Sequence, residues 1–341
     1  MRIPSYLAAV VVLVAMFVLA ALPAGAGAVR HVPPSNQVLW GGQGGYSQAH
    51  IRDFARQSGR HPAVFNYFIS WRASQSNFHW LSFRLADARA HDTAAMLSVA
   101  PEDTGLTPRA LARGGGDAFL VGLGRLLAEH GEVTYLRPMS EMNNANNSYA
   151  PYDHSGRSRG PAHAVRQFKR AWRRSALIVR GGDVTRIDAK LRRLGMPPVR
   201  TDAARLPRAA VALMWVPLSF GNPEIAKNHP RHFWPGGRYV DWVGTTWYSP
   251  YKASSAMHAV YNYPLWRNKP FAFAEWGVWG RDDPGFVRQF FSFLKTHPRV
   301  RMAVYYQSAL LKPEFRLSTH PRSRAALRQA VRWPRLTGEA P

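Results

Sequence analysis

The sequence of 341 residues contains no cysteine. That excludes disulfide staples, thiolate metal sites and a lipidated cysteine at an N-terminal cleavage point. Acidic residues are scarce: 20 Asp and Glu stand against 45 Lys and Arg, a formal net charge of +25. Lysine is scarce too, confined to Lys169, Lys190, Lys227, Lys252, Lys269, Lys295 and Lys312, so arginine carries the charge. Beyond the first 30 residues no apolar run is long enough to span a bilayer. His79, His91, His163, His229, His232 and His297 show neither i, i+4 metal spacing nor His-Glu-x-x-His, and read as surface or structural. No Cys-x2-Cys, helix-turn-helix or RNP-like pattern occurs, so nucleic acid is not an expected partner. Gly41-Gly42-Gln43-Gly44-Gly45 lacks the Lys-Ser/Thr of a P-loop and the Gly-x-Gly-x-x-Gly spacing. It reads as a tight turn that lets a substrate approach the backbone.

What is present begins with an export leader. Arg2 supplies a positive start, Leu7 to Leu22 is apolar, and Pro23-Ala24-Gly25-Ala26-Gly27-Ala28 offers small residues for signal peptidase. Cleavage is expected after Ala26 or Ala28, giving a secreted chain; retention at the membrane or cell wall is the alternative. The excess positive charge reflects either an arginine-rich genome composition or attraction to anionic cell-wall polymers, polysaccharides or membranes.

Hydrophobic residues make up 46% of the chain and aromatics 12%, enough for one large core. Eight short apolar runs suggest strands: Gln37-Trp40, Ala63-Ser70, Ala94-Ala100, Val133-Pro138, Val211-Val216, Val240-Thr246, Phe271-Glu275 and Met302-Gln307. Near-continuous apolar runs are typical of strands buried on both faces, as in parallel sheets. Helical patterns separate them at Gln48-Ser58, Asn77-Ala90, Pro108-Glu129, Ala162-Arg180, Pro284-Lys295 and Ser323-Val331. Such alternation predicts an α/β fold, a (β/α)8 TIM barrel, as a single domain over residues 29–335. Gly181 to Arg208 reads as an elaborated loop with a short helix at Asp188-Leu194, and the tail, residues 336–341, as frayed and flexible.

In such a barrel the reactive residues lie at the C-terminal ends of the strands. Two predicted strands end directly on a glutamate: strand four at Glu141 and strand seven at Glu275. Burying Glu is costly unless it is paired or functional. Two carboxylates facing one another across a barrel mouth suit glycosidic cleavage, one protonating the leaving oxygen and the other attacking the sugar. The acid needs a raised pKa, and the other carboxylate needs cationic and hydrogen-bonding neighbours. Arg137 and Tyr248 are candidates for that role. Trp71, Trp215, Trp247, Trp276 and Trp279 lie at or just past strand ends, where sugar rings stack, although any one of them could instead be core. Asn143 follows the acid closely enough to be expected at the sugar. Asn144, Asn146 and Asn147 fit ordinary turn chemistry. Glu102 and Asp103 fit a cap or loop role.

The segment Arg137-Pro138-Met139-Ser140-Glu141-Met142-Asn143 resembles the acid/base motif of glycoside hydrolase family 26, which contains β-mannanases and related endo-β-glycanases. Trp234-Pro235-Gly236-Gly237-Arg238 leading to Tyr248 is similar to the family's approach to strand six. Lys269-Pro270-Phe271 through Glu275-Trp276-Gly277 is similar to its nucleophile strand, and Val211 to Pro217 resembles its strand five. The resemblance covers roughly residues 38 to 310. It implies a retaining mechanism with Glu141 as acid/base and Glu275 as nucleophile, and a hydrogen bond from Tyr248 to the nucleophile. Three departures surround the implied sugar site. Ser140 stands where the family carries His, Trp247 where a small or acidic residue is common, and Tyr305-Tyr306-Gln307 where a Trp platform is common.

The expected partner is a polysaccharide substrate, with no metal or organic cofactor, and the chain is expected to be a monomer. The other reading, which Ser140 favours, is a catalytically weak barrel that binds polysaccharide or cell wall.

Overall fold

The computed structural model describes residues 31–45, 48–251, 253–308 and 312–341; the leader at residues 1–28 lies outside them. Eight parallel strands form the barrel: β1 (Val38–Gln43), β2 (Val64–Ser70), β3 (Ala94–Ala100), β4 (Thr134–Pro138), β5 (Val211–Trp215), β6 (Trp242–Tyr248), β7 (Phe271–Gly277) and β8 (Val300–Tyr306). Each pairs with the next, and β8 pairs with β1 to close the ring. The predicted (β/α)8 fold is therefore present.

The apolar runs read as continuous because both of their faces are covered. Leu39, Val64, Met96, Tyr135, Met214, Trp242, Ala272 and Met302 fill the barrel interior. The alternate residues, such as Trp40, Phe65, Leu97, Leu213 and Phe273, pack outward against the helices. At the N-terminal end of the barrel Tyr135 meets Trp242 edge-on at 5.6 Å, and its hydroxyl donates to the His31 carbonyl at 2.6 Å.

Several boundaries differ from the sequence reading. β1 runs on through the glycines to Gln43. Gly41 and Gly42 are therefore not a substrate-facing turn. A Cβ on Gly41 would come within 2.8 Å of Val304, and one on Gly42 within 2.4 Å of the Phe54 ring. These glycines permit close packing inside the protein. The expected helix from Pro108 to Glu129 breaks at Gly114-Gly115-Gly116 into Pro108–Ala112 and Asp117–His130. A further helix, Ser254–Asn262, lacks a strong sequence signal. Residues 181–208 do hold a short helix, Val184–Arg193, framed by an antiparallel pair between Gly182–Asp183 and Arg205–Leu206. The tail is not frayed at its start: Leu336–Thr337 adds a parallel strand beside Val38–Leu39. Those edge groups of β1 would otherwise lack backbone partners.

Candidate active site

β4 brings Arg137 into the barrel, and the chain beyond it turns sharply. Met139 and Glu141 both take φ of 50°, a conformation costly for residues other than glycine. The turn stays tied to the sheet: Met139 N donates to Val99 O at 2.8 Å, and Glu141 N to Val216 O at 2.6 Å. Met139 and Met142 are fully buried beneath it. Glu141 is thereby held at the mouth, with its backbone oxygen accepting from Asn144 N and from Asn147 Nδ2.

Glu275 reaches the mouth through a bulge. Between Phe273 and Trp276, β7 spends three steps where β8 takes two, from Ala303 to Tyr305. The same irregularity separates the Thr245 and Thr246 pairings on β6. Ala274 and Glu275 therefore both face the interior, although they are consecutive. A bulge re-aims a side chain in this way.

The Glu275 carboxylate is held at both oxygens. Arg137 Nη2 lies 2.9 Å from Oε1, and the Tyr248 hydroxyl donates to Oε2 at 2.8 Å. Arg137 also donates through Nη1 to Ala274 O at 3.2 Å, and its side chain is 1% exposed. Glu141 accepts from Asn144 Nδ2 at 2.9 Å and from the Thr246 side chain. Burial raises the Glu141 pKa, and the nearby negative charge of Glu275 raises it further; the bonds from Asn144 and Thr246 and the charge of Arg137 oppose this in part. Burial also pushes the Tyr248 hydroxyl well up, with Glu275 and Glu141 adding to it, so it remains a donor. Glu102 lies at the same end of the barrel, its carboxyl raised by burial and by Asp103. Among the described residues no group of three His, Asp or Glu could hold a metal ion.

Four of the five tryptophans expected at the sugar are core. Trp276 stacks on Phe290 at 3.6 Å and is 0% exposed. Trp247 packs among Phe273, Phe286 and Phe293. Trp215 lies against Trp234 and Trp266. Trp71 packs on Phe119 and donates to Gly116 O. Strand parity explains this: each is the neighbour of an inward residue (Glu275, Tyr248, Met214 and Ser70 respectively) and so points out toward the helices. Trp279 is 37% exposed, with its ring 6.0 Å from Tyr248 and stacked on Phe315 at 5.1 Å. Phe68, Tyr251 and Tyr306 continue this aromatic rim around Tyr248.

Asn143 is also not at the opening. It is fully buried, donating through Nδ2 to Leu218 O and Phe220 O and accepting from Leu218 N. It fastens the loop after β4 to the loop after β5. Ser140 turns its hydroxyl back toward Arg137 O at 3.4 Å. Asn144, read from the sequence as turn chemistry, and Thr246, which the sequence reading did not name, are the side chains that hydrogen-bond the Glu141 carboxyl. Thr246 was findable, because it lies two residues before Tyr248 and so on the same face of β6.

Solved structures share this architecture. A family 26 β-mannanase from Bacteroides ovatus matches with a TM-score of 0.58 at 16% identity, over 89% of this chain and 90% of that one. A modular endo-β-1,4-mannanase from Cellulomonas fimi matches with a TM-score of 0.59 at 16% identity, over 89% and 72%. The catalytic domain of a family 26 endo-β-1,4-mannanase from a Bacillus species matches with a TM-score of 0.57 at 13% identity, over 88% and 87%. The chain has the fold of the family 26 glycoside hydrolases. No family model matches the sequence, and no curated protein matches it by sequence. Within a family 26 fold, Glu141 and Glu275 occupy the C-terminal mouth, where barrel enzymes place their chemistry.

Proposed function

We propose that the protein is an exported, retaining glycoside hydrolase acting as a monomer on a β-linked polysaccharide. The observation that carries the reading is the coupled pair of glutamates at the ends of β4 and β7. Glu141 is raised by burial and by Glu275, and Glu275 has each oxygen met by a donor. That is the division of labour a double displacement requires.

In the first half-reaction a Glu275 oxygen attacks the anomeric carbon, and Glu141 gives its proton to the departing glycosidic oxygen. In the second, Glu141 takes a proton from water, whose oxygen displaces Glu275 and restores both groups. Arg137 and Tyr248 hold the attacking carboxylate in line. Trp279 and its aromatic neighbours offer flat faces to the sugar rings on one side of the mouth. No cofactor is needed. The mannanase descriptions of the structural neighbours make β-mannan the first substrate to try, and Ser140 predicts a sugar contact different from theirs.

The test is a panel of plant, fungal and bacterial-wall glycans given to the wild-type protein and to Glu141→Gln and Glu275→Gln. Reducing ends released by the wild type and by neither variant support the reading. Glycan binding without release by the wild type replaces it with a polysaccharide-binding barrel.

A further inference from the structure

The loops after β4 and β5 meet beside Glu141. Ala145 N donates to Asn222 O at 2.6 Å, and Asn222 N donates to Asn143 O at 2.8 Å. These backbone bonds bring the side chains of Asn144 and Asn222 together. Asn222 Nδ2 donates to Asn144 Oδ1 at 3.1 Å, and Asn144 Nδ2 donates in turn to Glu141 Oε2 at 2.9 Å. The three side chains form a line that starts on one loop and ends on the carboxyl.

The backbone fixes the direction of this line. The two ends of an amide side chain have the same shape, and only their partners tell oxygen from nitrogen. Asn146 N donates to Asn144 Oδ1 at 3.1 Å. A backbone N–H can only donate, so that end of Asn144 is the oxygen. The other end is therefore the NH2, and Glu141 Oε2 has to accept from it. The same reasoning fixes Asn222, since only its NH2 can face Asn144 Oδ1. Ordinary turn chemistry at Asn144 thus sets what the carboxyl meets.

A neutral carboxyl has one carbonyl oxygen and one hydroxyl oxygen. The bond from Asn144 gives the accepting part to Oε2 and leaves the proton to Oε1. Thr246 also bonds this carboxyl, and its hydroxyl can donate or accept, so it follows either state. We propose, on the reading of Glu141 as the acid/base, that Asn144 and Asn222 are a positioning pair. They keep the transferable proton on Glu141 Oε1 and stop the carboxyl turning over. In the first half-reaction the Oε1–H bond breaks, and its proton goes to the departing oxygen as that oxygen leaves the anomeric carbon. In the second, a water proton goes to Oε1 while the water oxygen bonds the anomeric carbon and the ester to Glu275 breaks. One oxygen gives and takes the proton, so a carboxyl held in one orientation serves both steps.

The Asn144 bond also favours the charged form, working against the burial and the Glu275 charge that raise Glu141. The other groups facing this carboxyl are Arg137 from β4, Tyr248 from β6 and Tyr149 from the loop after β4. Glu102, from the loop after β3, acts on Tyr149.

Three variants separate this role from a structural one. Asn144→Asp keeps the acceptor for Asn146 N and Asn222 Nδ2 and removes the donor to Glu141. Asn144→Ala removes the same donor without adding a charge. Asn222→Ala removes the outer support and keeps its backbone bonds. Glu141 is followed by carbon NMR in protein labelled at the glutamate carboxyls, with Glu141→Gln assigning the signal. Its titration should move to higher pH in both Asn144 variants, and by a smaller step in Asn222→Ala. On the glycan found by the panel, kcat/KM should fall about tenfold in Asn144→Asp. On a dinitrophenyl glycoside of the same sugar, whose leaving group needs no proton, the fall should be much smaller. An unmoved or lowered titration in Asn144→Ala or Asn222→Ala, or an equal fall on both substrates, overturns the proposal. A wild type that hydrolyses nothing removes the hydrolase reading instead, and the titration, which needs no substrate, still decides whether the pair holds Glu141.

Discussion

Arg137 and Glu275 approach to 2.9 Å across the barrel from β4 to β7, with side chains only 1% and 11% exposed. Charges taken this far from water need each other, and removing one strands the other. Arg137→Met should therefore lower stability by about 3–5 kcal/mol and activity by roughly 10²–10³-fold. Arg137→Lys should recover little activity, because one ammonium cannot serve both Glu275 Oε1 and Ala274 O. Melting curves and kcat/KM on the substrate found by the panel check both. Full activity in Arg137→Met would remove it from the site.

Tyr248 makes a narrower prediction. Its hydroxyl meets Glu275 Oε2 at 2.8 Å, and a hydrogen bond to a charged group contributes about 1.5–3 kcal/mol. Tyr248→Phe keeps the ring against Trp279 and Tyr306 while removing that donor. It should lower kcat by about 10- to 100-fold and leave KM and the melting temperature nearly unchanged. A change in KM alone would make Tyr248 a sugar contact and not a support for the nucleophile.

The pH dependence follows from Glu141. It must carry a proton to act as an acid, and burial followed by the Glu275 charge raises its pKa. Activity should fall on the alkaline side as that proton is lost. In Glu275→Gln the second cause disappears, so the Glu141 titration followed by carbon NMR should move to lower pH. Stability has the matching sign. A carboxyl whose folded pKa is raised binds more protons folded than unfolded, so its contribution is present below the unfolded pKa and lost as pH rises through the folded one. Glu141→Gln should therefore raise the melting temperature by a few degrees at neutral pH, with the gain fading in acid. An equal gain at all pH values would contradict this account.

The tryptophans separate packing from binding. Trp276→Ala opens a cavity beside Phe290 and should cost about 3–5 kcal/mol. Trp279→Ala should cost far less stability and raise KM, since its ring is partly open at the mouth. A thermal melt beside a KM measurement distinguishes the two. The reverse pattern would mean that the rim has been misplaced.

By itself the sequence determined the barrel and its two glutamates. Eight apolar runs separated by helical segments leave few alternatives to a closed parallel sheet, and a Glu directly after such a run is too costly to be incidental. Tyr248 and Arg137 were legible with them, because strand-end position and side-chain chemistry suffice. Facing direction was not. Strands buried on both faces show no polar-apolar alternation, so nothing in the pattern says that Glu275 points in while Trp276 points out. The bulge at Ala274 is invisible for the same reason, since it appears only as a register shift against β6 and β8. Asn143 was misjudged because its partners lie about the loop at Leu218 and Phe220, brought beside it only when β4 and β5 pair. The net charge could be counted along the chain, but that Arg137 and Arg174 are buried in ion pairs with Glu275 and Asp117 was decided by the fold, which brings those distant partners together.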